Sequence, residues 1–211
     1  MGARGDFMQC NWEAFSWTRD PKAYDIRDTI LRVQTKPHTD LWQRTYYHFR
    51  NDNAPVFQTQ TDMERFSFVF RASFRYRKRF DQCGVVLYLD GENWLKGSIE
   101  YEISDYQHLG SVVTNRGYSH WATTEIGADV QSVWYRLSRR EQDFRIEYSL
   151  DGIAFHQMRI CHLDKAVGKI SFGVYACSPE DSSFEATFGD MKLTECQWLD
   201  HDGPQPDADE C

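Results

Sequence analysis

Residues 93–103 read Asn-Trp-Leu-Lys-Gly-Ser-Ile-Glu-Tyr-Glu-Ile, and the stretch alternates strictly between two kinds of side chain. One set is apolar or small, whereas the other begins with Trp94 and continues with Lys96, a serine and two glutamates. A period of two is the pattern of a half-buried β-strand, because successive side chains point to opposite faces of a sheet. The sequence therefore predicts a strand whose outer row combines an aromatic ring, a cation and two carboxylates, a combination suited to holding sugars.

Alternation of this kind recurs along most of the chain. Ten segments are predicted as strands: 29–35, 65–76, 82–89, 94–103, 109–114, 130–139, 144–150, 154–160, 169–176 and 184–193. Turn signals separate them, and no long window sustains a helical period. One of these signals, Asp151 followed by Gly152, predicts a tight hairpin with a two-residue type I′ turn. Short strands at this spacing predict an all-β sandwich of two antiparallel sheets with at most short helical turns.

Length and composition indicate a single domain. The 211 residues are enough for one sizeable core, and an aromatic share of 15% predicts that the core is rich in rings. We expect this domain to span residues 12–198, after an N-terminal extension at 1–11. Residues 199–211 are acidic and nearly without apolar side chains, and this composition predicts a disordered tail.

Charge and terminal sequence narrow the expected partners and location. The net charge of -8 argues against nucleic acid, because binding phosphates needs a positive field. No apolar run approaches the roughly 20 residues that span a bilayer, so a membrane is not expected as a partner. The N-terminus lacks a secretion signal, and Asp6 stands where myristoylation requires Ser or Thr. We expect a cytoplasmic protein with reduced cysteines, no cofactor and no metal ligand set.

Six segments, taken together and in order, resemble a known family. They are TDLWQRTYY (39–47), FDQCG (80–84), LDGENWLK (89–96), SVVTN (111–115), YSLDG (148–152) and GVYACSP (173–179). They resemble the widespread family of unknown function that includes the yeast regulation-of-enolase protein, over roughly residues 12–195. The resemblance implies a concanavalin A-like lectin/glucanase jelly roll whose concave sheet often forms a ligand groove. It is similar as well to a domain appended to some bacterial β-xylosidases, and it implies a leaning toward carbohydrate without implying a reaction.

The polar rows of the predicted strands define a candidate ligand site on the concave sheet. The candidate ligand-binding residues are Gln82, Trp94, Lys96, Glu100, Glu102, Trp121 and Tyr175. Trp94 and Trp121 are candidate platforms for a sugar ring, whose C–H groups pack on an aromatic face. The alternative is structural, with Trp94 at the edge of the sandwich and Lys96 paired with a neighbouring carboxylate such as Glu102. The turn at 90–93 has the carboxylates of a lectin calcium loop, but a surface turn is the favoured interpretation.

A weaker pattern points to catalysis. Residues 100–105 read E-x-E-x-x-D, close to the E-x-D-x-x-E of retaining glucanases, whose two carboxyl groups lie about 5 to 5.5 Å apart. Here the third acid is Asp105, with a shorter arm than glutamate. Glu100 and Glu102 alone are expected near 7 Å apart, since each residue of a strand advances about 3.4 Å, and that separation is typical of inverting enzymes. Glu100 and Asp105 are therefore weak catalytic candidates, and acids that bind or pack are the favoured interpretation.

The favoured function is non-catalytic recognition of a carbohydrate or sugar-derived metabolite on the concave face. A first alternative is a protein-interaction module that binds a metabolic enzyme with the same face or with a sheet edge. A second is a glycoside hydrolase that uses Glu100 and Asp105. The sequence does not single out one sugar, one partner or an oligomeric state.

Overall fold

The computed structural model describes residues 8–9, as backbone only, and residues 11–199. These residues form seventeen strands and one helical segment, a three-residue 3-10 turn at Trp12–Ala14. In chain order the strands are β1 (Met8–Gln9), β2 (Ser16–Trp17), β3 (Ala23–Arg27), β4 (Ile30–Gln34), β5 (Leu41–Gln43), β6 (Arg50–Asp52), β7 (Val56–Thr61), β8 (Arg65–Phe74), β9 (Gln82–Asp90), β10 (Asn93–Tyr101), β11 (Tyr106–Asn115), β12 (Tyr118–Gly127), β13 (Ser132–Arg140), β14 (Asp143–Ser149), β15 (His156–His162), β16 (Ile170–Cys177) and β17 (Glu185–Thr194). The predicted all-β class is confirmed.

Two large antiparallel sheets contain all but two of these strands. The eight-stranded sheet has the order β15-β14-β13-β8-β17-β4-β3, with β1 also paired to β17. The seven-stranded sheet has the order β12-β11-β10-β9-β16-β7-β2. Several strands that are distant in sequence pair directly, as β8 does with β17 and β9 with β16. The predicted jelly-roll sandwich is confirmed.

The core lies between the two sheets and is rich in aromatic rings, as the composition predicted. Alternate residues of β16 enter it, namely Ile170, Phe172, Val174 and Ala176. Phe68 of β8 meets Phe172 edge-on, with ring centroids 5.1 Å apart, and so links the sheets. Each fully buried large apolar side chain of this kind stabilises the fold by about 1.5 to 3 kcal/mol.

Gly97 sits on the core side of β10, where a side chain has no room. A Cβ at this position would lie 2.9 Å from Ile146 Cγ2 on the opposite sheet and 3.3 Å from Val85 Cγ1. The small residue in the apolar row of 93–103 thus allows Ile146 to pack directly on the β10 backbone.

A two-stranded unit covers part of the outer face of the seven-stranded sheet. We call it the cover hairpin; it consists of β5, β6 and the turn 44–49 between them. The inner side of this hairpin and the sheet beneath it form a second apolar cluster: Leu41, Trp42, Ala54, Val56, Val86, Tyr88, Trp94, Val112, Tyr175 and Cys177. Gln43 N donates to Ser119 Oγ at 2.9 Å, and Arg44 Nη1 donates to the Gly117 carbonyl at 2.6 Å. These bonds fasten the hairpin to β12 and to the turn before it.

Several local predictions were wrong. The ten predicted strands are present, but the edge strand β12 and the shorter strands β1, β2, β3, β5, β6 and β7 were missed. The loop after Ser149 is not a two-residue turn, because β14 and β15 are joined by residues 150–155. Asp151 closes this loop by accepting hydrogen bonds from the amides of Ile153 and Ala154, at 2.8 and 2.9 Å.

The chain ends bear on the predicted domain limits. Strand β1 lies within the predicted N-terminal extension and pairs with β17. The predicted disordered tail falls, apart from Leu199, outside the described residues, so the 12–198 limits stay a prediction.

The four cysteines in the described part of the chain, at 83, 161, 177 and 196, are free thiols. Within residues 11–199 no helix has the length and apolar character needed to cross a bilayer.

Candidate functional site

A pocket of about 240 Å³ opens on the outer face of the seven-stranded sheet. Its floor comes from β9, β10 and β11, one wall from the cover hairpin and another from β12 and the turn after β16. The residues that line it are Asp40, Trp42, Tyr47, Phe49, Asn51, Phe80, Gln82, Lys96, Glu100, Val112, Trp121, Pro179 and Glu180.

Strand register brings the polar floor together. Glu100 of β10 lies directly between Gln82 of β9 and His108 of β11. The next outward-facing position of β10 is Ser98, between Gly84 and Gly110, so this row carries little side-chain bulk. A narrow cleft of about 10 Å³ over these small residues continues the pocket floor, and both Glu100 and His108 line it.

Lys96 is buried in the floor and held by two acceptors. Its Nζ lies 3.2 Å from Asp40 Oδ1 and 3.0 Å from Gln82 Oε1, and its side chain is 5% exposed. Burial alone would lower the pKa of Lys96, but the Asp40 carboxylate and other nearby acidic groups outweigh that effect and raise the pKa above its ordinary value. The lysine is therefore charged. The structural alternative predicted Glu102 as the carboxylate partner of Lys96, but the partner is Asp40.

Gln82 joins the lysine to the glutamate beside it. Its Oε1 also accepts the Tyr175 hydroxyl at 2.8 Å, and its Nε2 donates to Glu100 Oε2 at 2.6 Å. These bonds fix the orientation of the amide. Burial raises the pKa of Glu100 to about 8, partly opposed by the charge of Lys96, so this carboxyl titrates near physiological pH.

Glu102 lies next to Glu100 in a cluster that the sequence did not predict. Its Oε1 accepts a hydrogen bond from Arg79 Nη2, and its Oε2 lies 3.7 Å from His108 Nδ1. One oxygen of each glutamate and one nitrogen of His108 lie within 4.8 Å of one another. The predicted 7 Å separation of the two glutamates was wrong, because β10 ends at Tyr101 and Glu102 leaves the strand geometry to meet Arg79.

Aromatic rings form the upper walls of the pocket. Trp42 stands nearly perpendicular to Trp121, at 83° with centroids 6.2 Å apart, and to Tyr47, at 72° and 5.5 Å. Tyr47 stacks on Phe49 with an angle of 28°. Trp121, Tyr47 and Phe49 are 41%, 46% and 44% exposed, so each presents free ring surface to solvent or to a ligand.

The predicted site residues are only partly brought together. Four of them line the pocket: Gln82, Lys96, Glu100 and Trp121. Tyr175 lies below the floor, and Glu102 lies beside the cleft. Trp94 was predicted on an open face but is fully buried, because the cover hairpin packs over it, so its ring offers no platform. Asp105 is in the exposed turn before β11, accepts a bond from Ser104 and is absent from the residues that line the pocket.

Sequence reasoning missed several residues of the site. It gave no role to Asp40, Tyr47 or His108. The register of the hairpin from β10 to β11 could have paired His108 with Glu100, since antiparallel partners follow from the position of the turn. The surface-turn interpretation of 90–93 agrees with Asp90, whose carboxylate accepts bonds from Glu92 N and Asn93 Nδ2.

The two large antiparallel sheets define a jelly-roll β-sandwich protein, with a pocket on the outer face of the seven-stranded sheet. Residues 17–196 match the family described as protein of unknown function DUF1349, and the chain belongs to that family. Regulation of enolase protein 1 from Saccharomyces cerevisiae is 29% identical over 180 residues, which cover 85% of this chain and 88% of the yeast protein. The resemblance predicted from the ordered segments is confirmed.

Solved structures agree with this assignment. A functionally unknown protein from Saccharomyces cerevisiae has a TM-score of 0.82 and 26% identity, with 88% of this chain and 98% of that chain covered. The GH43 BlXynB protein from Bacillus licheniformis has a TM-score of 0.65 and 16% identity, and a xylan β-1,4-xylosidase from Bacillus halodurans has 0.63 and 10%. The matches cover 89% and 86% of this chain but only 38% and 39% of those two chains, and this likeness shows the fold alone.

Proposed function

We propose that the protein binds a carbohydrate or sugar-derived small molecule in the outer-face pocket, without covalent chemistry. One observation supports the proposal: the same pocket is lined by exposed aromatic rings, Trp121 and Tyr47, and by hydrogen-bonded polar side chains, Gln82 and Lys96. A pyranose needs both, because its C–H groups pack on rings while its hydroxyls need paired donors and acceptors.

The size of the pocket favours a small ligand. Sites for drug-sized molecules usually enclose about 300 to 1,000 Å³. At about 240 Å³ this pocket suits a single sugar unit or one end of a longer glycan.

The charges that line the pocket favour a neutral or amine-bearing ligand over a phosphorylated one. Asp40 and Glu180 are acidic, and Glu100 adds a carboxyl group that is only partly ionised near physiological pH, whereas the cation among the lining residues, Lys96, is already engaged by Asp40. A phosphate group would meet this acidic surface without a free basic partner. The net charge of -8 also disfavours the binding of a negatively charged phosphate.

A panel of neutral monosaccharides, amino sugars and sugar phosphates, measured by ligand-detected NMR, tests the proposal. We expect binding of a neutral or amino sugar and weakening by Trp121→Ala of about 5- to 30-fold, equivalent to roughly 1 to 2 kcal/mol of stacking. Tyr118→Ala is the matched control, because Tyr118 is an exposed aromatic on the same strand that does not line the pocket. Equal weakening by both variants, or binding of phosphorylated sugars alone, would contradict the proposal.

A second candidate is recognition of a metabolic enzyme. It rests on the name of the yeast relative and on the tip of the cover hairpin, where Tyr46 is 79% exposed beside Tyr47 and Phe49. Arg44, Tyr46 and His48 have φ values of 57°, 63° and 62°, so three non-glycine residues of this turn hold a left-handed backbone. Such conformations are costly and cluster at functional sites.

Co-sedimentation or light scattering with purified enolase tests this second candidate. Tyr46→Ser and Phe49→Ser should abolish a complex that Ile153→Ser leaves intact, since Ile153 is an exposed apolar residue away from the hairpin.

The hydrolase alternative has less support, because the pocket contains Glu100 but not Asp105. The cytoplasmic location stays a prediction.

A further inference from the structure

We propose that Glu100, Glu102 and His108 bind one divalent transition-metal ion of the zinc class at the inner end of the pocket. The proposal is independent of whether a sugar binds. The three donors come from neighbouring parts of the sheet. Glu100 is near the end of β10, Glu102 follows that strand, and His108 is the partner of Glu100 on β11.

Geometry is the first argument. One donor atom from each residue lies within 4.8 Å of the other two. Glu102 Oε2 and His108 Nδ1 are 3.7 Å apart, which is too long for a hydrogen bond. Two ligands of one tetrahedral zinc ion, with bonds of about 2.0 to 2.1 Å, lie roughly 3.3 to 3.4 Å apart. The observed gap of 3.7 Å is longer than a hydrogen bond and within about 0.4 Å of the spacing of two ligands on a shared ion, so a small side-chain movement would bring both onto one ion.

The state of His108 is the second argument. Its Nδ1 is buried and has no hydrogen-bond partner in the described part of the chain. A buried polar nitrogen without a partner is costly, and coordination of an ion would satisfy it. The ring is positioned by its packing against Trp121, at 6.0 Å and 81°, and against Tyr106.

Neighbouring side chains already hold both carboxylates in place. Arg79 binds Oε1 of Glu102, and Gln82 binds Oε2 of Glu100. Metal-binding carboxylates are characteristically oriented in this way by a second layer of hydrogen bonds. The charge of Arg79 offsets part of the ligand charge, so we expect moderate affinity.

Space and donor type limit the ion. The cleft of about 10 Å³ that Glu100 and His108 line has room for about one water-sized group. An imidazole nitrogen with two carboxylates suits zinc or its neighbours, whereas calcium requires six to eight oxygen ligands. Three protein ligands leave a coordination position open, and the cleft continues into the pocket through Gln82, Lys96 and Glu100.

Isothermal titration of the metal-stripped full chain with ZnCl₂ tests the proposal. We expect one ion per chain with a Kd near about 1 to 10 μM, and His108→Gln should weaken binding at least tenfold by removing one of three ligands. His120→Gln is the control, because His120 is an exposed histidine on the adjacent strand β12. The melting temperature of each variant without metal shows whether its fold is intact.

Glu102→Gln and the visible spectrum of the Co²⁺-loaded wild type give independent readouts. Glu102→Gln should weaken binding as His108→Gln does, and the Co²⁺ spectrum should be that of a four-coordinate site with mixed nitrogen and oxygen ligands. The proposal would be overturned if zinc binding persisted in His108→Gln or were lost in His120→Gln. Preferential binding of Ca²⁺ over Zn²⁺ would also overturn it. So would the absence of a bound ion in the wild type at 100-fold the expected Kd, about 1 mM at most.

Discussion

At the scale of single residues, the contact made by Gly97 decides how closely β10 approaches the opposite sheet. We predict that Gly97→Ala lowers the free energy of unfolding by about 1 to 3 kcal/mol, because a methyl group would overlap Ile146 in a packed core. Urea denaturation measures the change. Gly189→Ala is the control, since its Cβ would meet only Ile30 Cγ1 at 3.8 Å; equal losses in both variants would show that packing at Gly97 is not the cause.

Lys96 supports a second residue-scale prediction. Lys96→Met should cost about 3 kcal/mol, because it leaves the Asp40 carboxylate without its partner in a largely buried position. The value is at the low end of the range for buried pairs, since the Asp40 side chain is 14% exposed. In a double-mutant cycle, adding Asp40→Asn to Lys96→Met should recover much of the loss, and strictly additive losses would mean that the pair does not interact.

At the scale of elements, the loop 150–155 gives a prediction that depends on pH. Hydrogen bonds from the amides of Ile153 and Ala154, and then from Ser149, lower the pKa of Asp151 to about 2. Because the folded-state pKa lies below the unfolded value of about 3.9, the ionised carboxylate stabilises the loop above that pH, and the stabilisation is lost as pH falls toward 2.

NMR titration of Asp151 and hydrogen exchange of the loop amides measure this effect. Asp151→Ala should speed exchange at Ile153 and Ala154 at neutral pH, while Asp129→Ala, in another exposed turn, should leave them unchanged. A titration of Asp151 near 3.9 would contradict the assigned hydrogen bonds.

Strands were predictable where their two faces differ. β10 and β16 place one row in the core and another on the outer face, so alternation reveals them. β12 has a single buried residue, Ser119, because it is an edge strand, and its sequence carries no such pattern. The strands of the cover hairpin have three residues each, too few for a period to emerge.

The candidate site was predictable to the extent that it lies on those strands. Alternation alone correctly put Gln82, Lys96 and Glu100 on the outer face. It could not show that residues 41–52, distant in sequence, fold back over Trp94. Asp40 and His108 enter the site through tertiary pairing, which a single strand pattern does not contain.

At the scale of the whole molecule, the described chain ends against the eight-stranded sheet. Arg140 of β13 donates to the Trp198 carbonyl and lies over its ring at 5.4 Å. Residues 200–211 contain almost no apolar side chain, so we predict that removing them leaves the melting temperature within about 2 °C. Differential scanning calorimetry measures the change. A truncation before Trp198 should cost more, and equal melting of both shortened chains would show that the Arg140 contact contributes nothing.

The position of β17 has a consequence for synthesis in the cell. In the eight-stranded sheet β17 lies between β8 and β4 and also pairs with β1, so among the described residues of this sheet β3 and β4 are joined to β8 through residues 185–194. A nascent chain on the ribosome can form the part of this sheet that contains β8, β13, β14 and β15 but cannot join β3 and β4 to it until β17 has emerged. The eight-stranded sheet is therefore completed only after residues 185–194 have been translated, and the long-range pairing makes that step slow, on the order of milliseconds to seconds. Until then the edges of β4 and β8 stay open, and chaperone binding would protect the chain at this stage.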